Sequence, residues 1–194
     1  VAQLHDTAVE LMRKIPTVFV RDPDNRKRVT SEVTPGCEWV LDGEGCPTRK
    51  YDGTCVAFDG VKWVFRREVK PGKPEPDEWV HVGTDENTGK RVGWEPATPA
   101  AGFIGPLREA IDAAFEFGSN IPVATYELCG PKINGNPEGF ASHRLIQHDE
   151  AEVFVDAPRT FETLGPWLIA QTSEGIVWHH PDGRMAKLKR RDFS

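Results

Sequence analysis

At 194 residues, with 38% hydrophobic and 28% charged residues, the chain can bury a sizeable core and reads as globular rather than disordered. Its net charge of −6 excludes whole-molecule attraction to nucleic acid, so any such binding needs a local basic patch; Arg184, Lys187, Lys189, Arg190 and Arg191 supply the candidate. No run of about 18 apolar residues marks a membrane span and no signal-peptide pattern is present, while Cys37, Cys46, Cys55 and Cys129 form no C-x-x-C pair and read as reduced intracellular thiols rather than a structural zinc site.

In chain order, residues 2–15 place Leu4, Ala8, Leu11, Met12 and Ile15 at helical spacing, and Pro16 ends the pattern. Short strands are expected at residues 17–20 and 38–41, with a charged loop at 21–28 between them and a further loop at 43–47. Strands at 55–59 and 62–67 flank Asp59-Gly60, a strong hairpin signal. Residues 70–78 are rich in proline and charge and read as loop; residues 85–89 form a second turn cluster, flanked by Trp79 and Trp94. The clearest helix runs over 106–117, with Pro106 in its first turn, Gly118 at its end, and Leu107, Ile111, Ala114 and Phe115 as its apolar face. A strand at 122–128, a Gly/Asn/Pro loop at 130–139 and strands at 145–146 and 153–155 follow. Residues 160–172 are partly helical, disturbed by Gly165-Pro166; 176–178 is a buried strand, and Asp182-Gly183 turns it into 185–189. Many short strands joined by hairpin turns, with two or three helices, predict an α+β fold of mostly antiparallel sheets flanking a ligand-binding groove.

The chemistry-bearing stretch is Lys50-Tyr51-Asp52-Gly53, set before the apolar alternation of Cys55, Val56, Ala57 and Phe58. An Asp-Gly turn there holds the Lys50 amine at a strand end, and a lysine kept neutral by its surroundings is a nucleophile. Glu127 ends a strand ahead of Gly130, and Glu174 precedes Gly175 and a buried strand. Lys187 and Lys189 alternate onto one strand face, and Arg66 and Arg67 offer a guanidinium. Together these residues suit nucleotidyl transfer: a lysine attacks the α-phosphate, cations stabilise the phosphate charge, one carboxylate holds Mg²⁺ and another accepts ribose hydroxyls.

The order K-x-D-G, arginine, Y-E-L-x-G, E-G-I-V, K-x-K resembles the covalent nucleotidyltransferase superfamily of ATP-dependent RNA and DNA ligases and capping guanylyltransferases. The likeness is closer to the vertebrate-type 5′-to-3′ RNA ligase family, through residues 50–55, Glu127-Leu128-Cys129-Gly130 with Ile133-Asn134-Gly135-Asn136-Pro137 behind it, Leu145-Ile146-Gln147-His148, and Glu174-Gly175-Ile176-Val177-Trp178-His179. The resemblance implies a single adenylyltransferase domain over residues 1–194, of the nucleotidyltransferase or ATP-grasp-like ligase adenylation type; in one departure from many of its members, only Arg190–Ser194 follow the K-x-K strand, so no appended C-terminal domain is expected. It implies lysyl-AMP on Lys50, a turn supported by Asp52, nucleotide contacts from Arg67 (Arg66 as the second choice), ribose on Glu127, adenine against His148, a Mg²⁺ or Mn²⁺ ion on Glu174, and α-phosphate contacts with assistance to pyrophosphate departure from Lys187 and Lys189. The implied cofactor is ATP, and the implied partner is RNA with 5′-phosphate and 3′-hydroxyl ends, in an intracellular, cytoplasmic RNA-repair setting with no membrane and no obligate protein partner. A minimal DNA ligase, another adenylyltransferase, and a non-catalytic nucleotide- or RNA-binding module are the alternatives.

Overall fold

The computed structural model describes residues 14–85, 88–116 and 118–194. Of the helix expected over residues 2–15, only the last two positions lie within the described residues. The chain divides into two compact units: one comprises Ile15–Tyr51 and Asp149–Ser194, the other Lys14 and Asp52–His148 among the described residues. Both are built from antiparallel sheets and helices, the α+β class that the pattern of short strands predicts.

The first unit holds strands β1 (Phe19–Arg21) and β2 (Val29–Val33), a single helical turn α1 (Glu38–Leu41), strand β3 (Cys46–Lys50), helix α3 (Phe161–Ala170), and strands β10 (Gly175–His179) and β11 (Met185–Lys189). β1 and β2 form a two-stranded sheet; β11, β10 and β3 form a three-stranded one in that order. The three-stranded sheet lays one face on the main core of this unit. Ile176, Trp178, Ala186 and Leu188 are fully buried against Leu164 and Leu168 of α3 and against Val18, Phe19 and Val40. The alternation buried-out-buried along β11 therefore leaves Lys187 and Lys189 on the other face.

The second unit is a six-stranded sheet of order β6-β7-β5-β4-β8-β9, made of β4 (Thr54–Phe58), β5 (Trp63–Val69), β6 (Val80–Thr84), β7 (Arg91–Pro96), β8 (Ala124–Cys129) and β9 (Arg144–Gln147). Helix α2 (Ile104–Ala114) lays Leu107 and Ala110 on one face, against Val56, Phe65, Tyr126, Leu128 and Ile133. The Asp59-Gly60 hairpin forms as its sequence predicts, with Gly60 at φ +96°.

Five expectations change. Residues 38–41 are a helical turn rather than a strand: Trp39 and Val40, adjacent in sequence, are both buried, a short apolar run that has no period to distinguish the two states, and Gly43 at φ +93° closes the turn. The loop expected at 43–47 ends at Gly45, because Cys46 and Pro47 already pair with His179 and Trp178. Helix α2 stops at Ala114; Phe115 is extended and turns its ring edge-on to Tyr126 instead of continuing toward Gly118. The strand expected at 153–155 is one bridge, Thr48 to Val153; Phe154 still packs on the core of this unit, while Val155 is exposed and pairing ends before it. Conversely, α3 runs through Gly165-Pro166. Gly165 sits under the Phe193 ring, where an added Cβ would come within 2.9 Å of Phe193 Cδ1, so burial outweighs the local helix-breaking preference.

Two adjacent leucine and isoleucine residues of α3 test this core. Leu168 is fully buried, whereas Ile169 is 54% exposed. Leu168→Ala is expected to lower unfolding free energy by about 2–5 kcal/mol and Ile169→Ala by less than about 1 kcal/mol, read by urea denaturation.

Candidate active-site residues

In the first unit, register brings three charged side chains together. Gly175 pairs with Lys50 on one side and with Lys189 on the other, so both lysines leave the polar face of the sheet at the same level. Glu174, one residue earlier, lies between them. Its Oε2 accepts from Lys50 Nζ at 2.5 Å and its Oε1 accepts from Lys189 Nζ. Gly175 has to be glycine for steric reasons, because a Cβ there would lie 2.1 Å from the Leu188 carbonyl oxygen. Burial by itself would raise the Glu174 pKa; the charges of Lys50 and Lys189 and their hydrogen bonds outweigh it and hold the carboxyl below its ordinary value.

Lys187 stands one register level further along, opposite Val177, which is in turn opposite Thr48. Thr48 is buried, donates to the Val177 carbonyl at 3.2 Å and meets His179 Nε2 at 3.1 Å. Asp192 fixes the end of β11: it is buried, accepts from the Lys189 backbone N–H at 2.8 Å and pairs with Arg21 at 2.7 Å. The five cations near the C-terminus do not gather into one patch. Arg184 pairs with Asp182 at the start of β11, Lys189 is bound to Glu174, and Arg190 donates to the Gln171 carbonyl.

In the second unit, a face of the six-stranded sheet opposite α2 carries the other candidates. Cys55 pairs with Glu127, and Glu127 with Ile146. Glu127 Oε1 accepts from the Gly53 backbone N–H at 3.0 Å, and Oε2 lies 3.0 Å from His148 Nε2. The other ring nitrogen of His148, Nδ1, is 2.9 Å from the Thr125 hydroxyl. Gly53 is required by close approach rather than by a left-handed turn: a Cβ would meet the Leu128 carbonyl oxygen at 2.3 Å and Glu127 Cγ at 2.9 Å.

Asp52 and Gly53 are braced from the loop 130–139, a role that the sequence alone did not assign. Asn134 donates to the Asp52 carboxylate at 3.1 Å and to the Gly53 carbonyl at 2.7 Å, while Glu138 accepts from the Asp52 N–H at 2.9 Å. The loop adopts this form because Asn134, Gly135 and Asn136 take successive positive φ values of 49°, 77° and 59°, which asparagine and glycine tolerate best. Ile133 anchors it in the core. His143 fixes its base. The ring accepts the Lys132 N–H on Nε2 and donates from Nδ1 to Glu109 at 2.7 Å, which lowers the Glu109 pKa.

The two arginines separate. Arg66 stands opposite Trp94 and Arg67 opposite Gly93, so they project from opposite faces of β5. Arg66 lines a cavity of about 320 Å³ with Lys14, Val82, Gly83, Thr84, Asp85 and Val92. By strand alternation Arg66, not Arg67, shares the face of Cys55 and Glu127. No period-two reading could settle this, since both residues are arginine.

No protein-family model matches the chain. Sequence comparison finds it similar to proteins named RNA ligase 1: that of Danio rerio at 29% identity, and those of Pongo abelii and Rattus norvegicus at 30% and 31%. Each match covers 66% of this chain and 46% of the relative, so the chain spans about half the length of the curated relatives it matches. These matches relate the chain to vertebrate-type RNA ligases, in agreement with the motif resemblance.

The Glu174 carboxyl sets a pH dependence. Its folded pKa lies below the ordinary value of 4.5, so its stabilisation is complete above that value and is lost as pH falls through the folded pKa. Glu174→Gln leaves two lysines without their shared anion and is expected to cost about 1–3 kcal/mol at pH 7. The gap to wild type should narrow as pH falls below 4.5 toward the folded pKa, in urea unfolding at stepped pH.

Proposed function

We propose that this chain carries the nucleotidyl-transfer chemistry of an ATP-dependent RNA ligase. The observation that carries the reading is the Lys50–Glu174–Lys189 cluster, ordered by the pairing of both lysines with Gly175. The similarity to RNA ligase 1 proteins supports the choice of reaction.

In the proposed first step Lys50 leaves its hydrogen bond to Glu174, gives up a proton to solvent and attacks the α-phosphorus of ATP. An N–P bond forms, the α–β P–O bond breaks, and pyrophosphate takes the electron pair. Lys187 and Lys189 neutralise charge that builds on the α-phosphate and leaving group. In the second step an oxygen of the RNA 5′-phosphate displaces Lys50, giving a 5′-adenylylated end. In the third the RNA 3′-hydroxyl attacks that end, AMP leaves and the phosphodiester forms. Glu127, with His148 and Gly53 fixing its carboxylate, is proposed as the ribose acceptor, and Arg66 as the guanidinium on the same sheet face.

The residues present fit a divalent metal ion. Glu174 is an ionised oxygen donor beside the nucleophile, and one carboxylate completed by substrate phosphates is the usual Mg²⁺ arrangement. When bound, Mg²⁺ or Mn²⁺ would supply polarisation of the phosphoryl oxygens. Release of Glu174 from Lys50 is what this chain itself must do to free the nucleophile.

Intact mass after incubation with ATP and Mg²⁺ should show a gain of one AMP that pyrophosphate reverses. Lys50→Ala should show none, and Lys189→Ala should slow the gain by about 100-fold, the scale of one lost charge-stabilising donor. ATP binding without an adduct in folded wild-type protein overturns the enzymatic reading in favour of a binding module. Sealing of nicked DNA in preference to single-stranded RNA or nicked RNA duplex overturns the choice of RNA.

A further inference from the structure

The face of the six-stranded sheet that carries Glu127 also carries a thiol and an imidazole. Cys55 is directly opposite Glu127 in the β4–β8 register, and Glu127 is opposite Ile146, two residues before His148. Opposed side chains of an antiparallel pair project from one face, and His148 opens a 3-10 turn directly after β9 ends at Gln147. Cys55 Sγ, a Glu127 oxygen and a His148 ring nitrogen lie within 4.8 Å of one another.

Each of the two oriented members is held from behind. Thr125 engages His148 Nδ1 at 2.9 Å and the Gly53 N–H engages Glu127 Oε1 at 3.0 Å. Nε2 and Oε2 are left facing each other at 3.0 Å. Outer hydrogen bonds that fix the far atom of each ligand are the usual second layer of a metal site. Ligand atoms of a tetrahedral Zn²⁺ with bonds of about 2.0–2.3 Å are about 3.3–3.8 Å apart, so closure requires side-chain adjustment of about 1 Å.

We propose that Cys55, Glu127 and His148 form a site for a borderline-soft divalent cation, Zn²⁺ in particular, with one coordination position left to water. A thiolate and an imidazole disfavour Mg²⁺, so this donor set is different in kind from the carboxylate chemistry proposed for Glu174. Resting on the reading of Glu127 as the ribose acceptor, Zn²⁺ at this site and nucleotide exclude each other, and Zn²⁺ inhibits adenylylation.

Co²⁺, titrated into reduced protein without nucleotide, reads the site directly. Wild-type protein should bind one equivalent with a thiolate-to-cobalt charge-transfer band that Zn²⁺ removes and excess Mg²⁺ does not. Cys55→Ser should lose the band, and His148→Ala should weaken Co²⁺ binding at least tenfold, with circular dichroism confirming that both variants are folded. No band in wild-type protein, or an undiminished band in Cys55→Ser, overturns the site. A second assay follows adenylylation in Mg²⁺ with and without Zn²⁺. Inhibition that Cys55→Ser relieves supports the exclusion, and equal inhibition of both proteins, or none, overturns it. If no adenylylation occurs in Mg²⁺ alone, the ligase reading and with it the exclusion fail, whereas the Co²⁺ titration still decides the metal site.

Discussion

The carboxylate of Glu174 is the group on which the charged cluster of the first unit depends. Three partly desolvated charged side chains converge at one end of a three-stranded sheet, and only the opposite sign of the central one makes that arrangement stable. Burial opposes its ionisation, and the two lysines overcome burial. The same ion pair that stabilises Lys50 favours its ammonium form, in which a proton holds the electron pair a nucleophile must present. Stability and reactivity are therefore in opposition at this carboxylate, and anything that draws Glu174 away from Lys50 favours chemistry at the expense of the resting fold. A cation on Glu174 would do so in the proposed reaction, because a dication competes with an ammonium for the same oxygens.

Two backbone constraints hold these charges in place. Gly175 lets the β10 backbone approach the Leu188 carbonyl, so that Lys50 and Lys189 share one register level. Gly53 does the corresponding work in the other unit, admitting the Leu128 carbonyl and donating its N–H to Glu127. In both, the glycine is needed for the space where its Cβ would be, and the neighbouring functional carboxylate is one that the close approach positions. The core then makes the register unique. Slipping β10 by one residue would expose Ile176 and Trp178 and bury the polar face.

Much of the candidate site was legible because its signals are local. A lysine ahead of Asp-Gly, a glutamate before Gly and a buried strand, and two lysines at alternate positions each occupy a few consecutive residues, and their order carried the resemblance. The hairpins at Asp59-Gly60 and Asp182-Gly183 were legible for the same reason. What the sequence did not display depended on partners distant along the chain. The helical turn at residues 38–41 and the extended Phe115 follow from burial against other elements. That Arg66 shares the sheet face of Glu127 follows from its pairing with Trp94 and from the register of Phe65, and Asn134 braces Asp52 across 82 positions of chain. Cys55 read as one member of an apolar alternation; only its pairing with Glu127 makes it a possible ligand.

The extent of the similarity bears unequally on the parts of the proposed reaction. Formation of lysyl-AMP requires a nucleophile, charge stabilisation and nucleotide contacts, and candidate side chains for each lie within this chain. Joining two RNA ends requires in addition that a 5′-phosphate and a 3′-hydroxyl be held in line. The net charge of −6 and the dispersed C-terminal cations, several already bound to acids or carbonyls, supply little general attraction for a polyanion. Adenylylation is thus the part of the proposed reaction for which candidate residues lie in this chain. RNA capture by this chain would have to depend on a few directed phosphate contacts, with a correspondingly shallow dependence of sealing on salt.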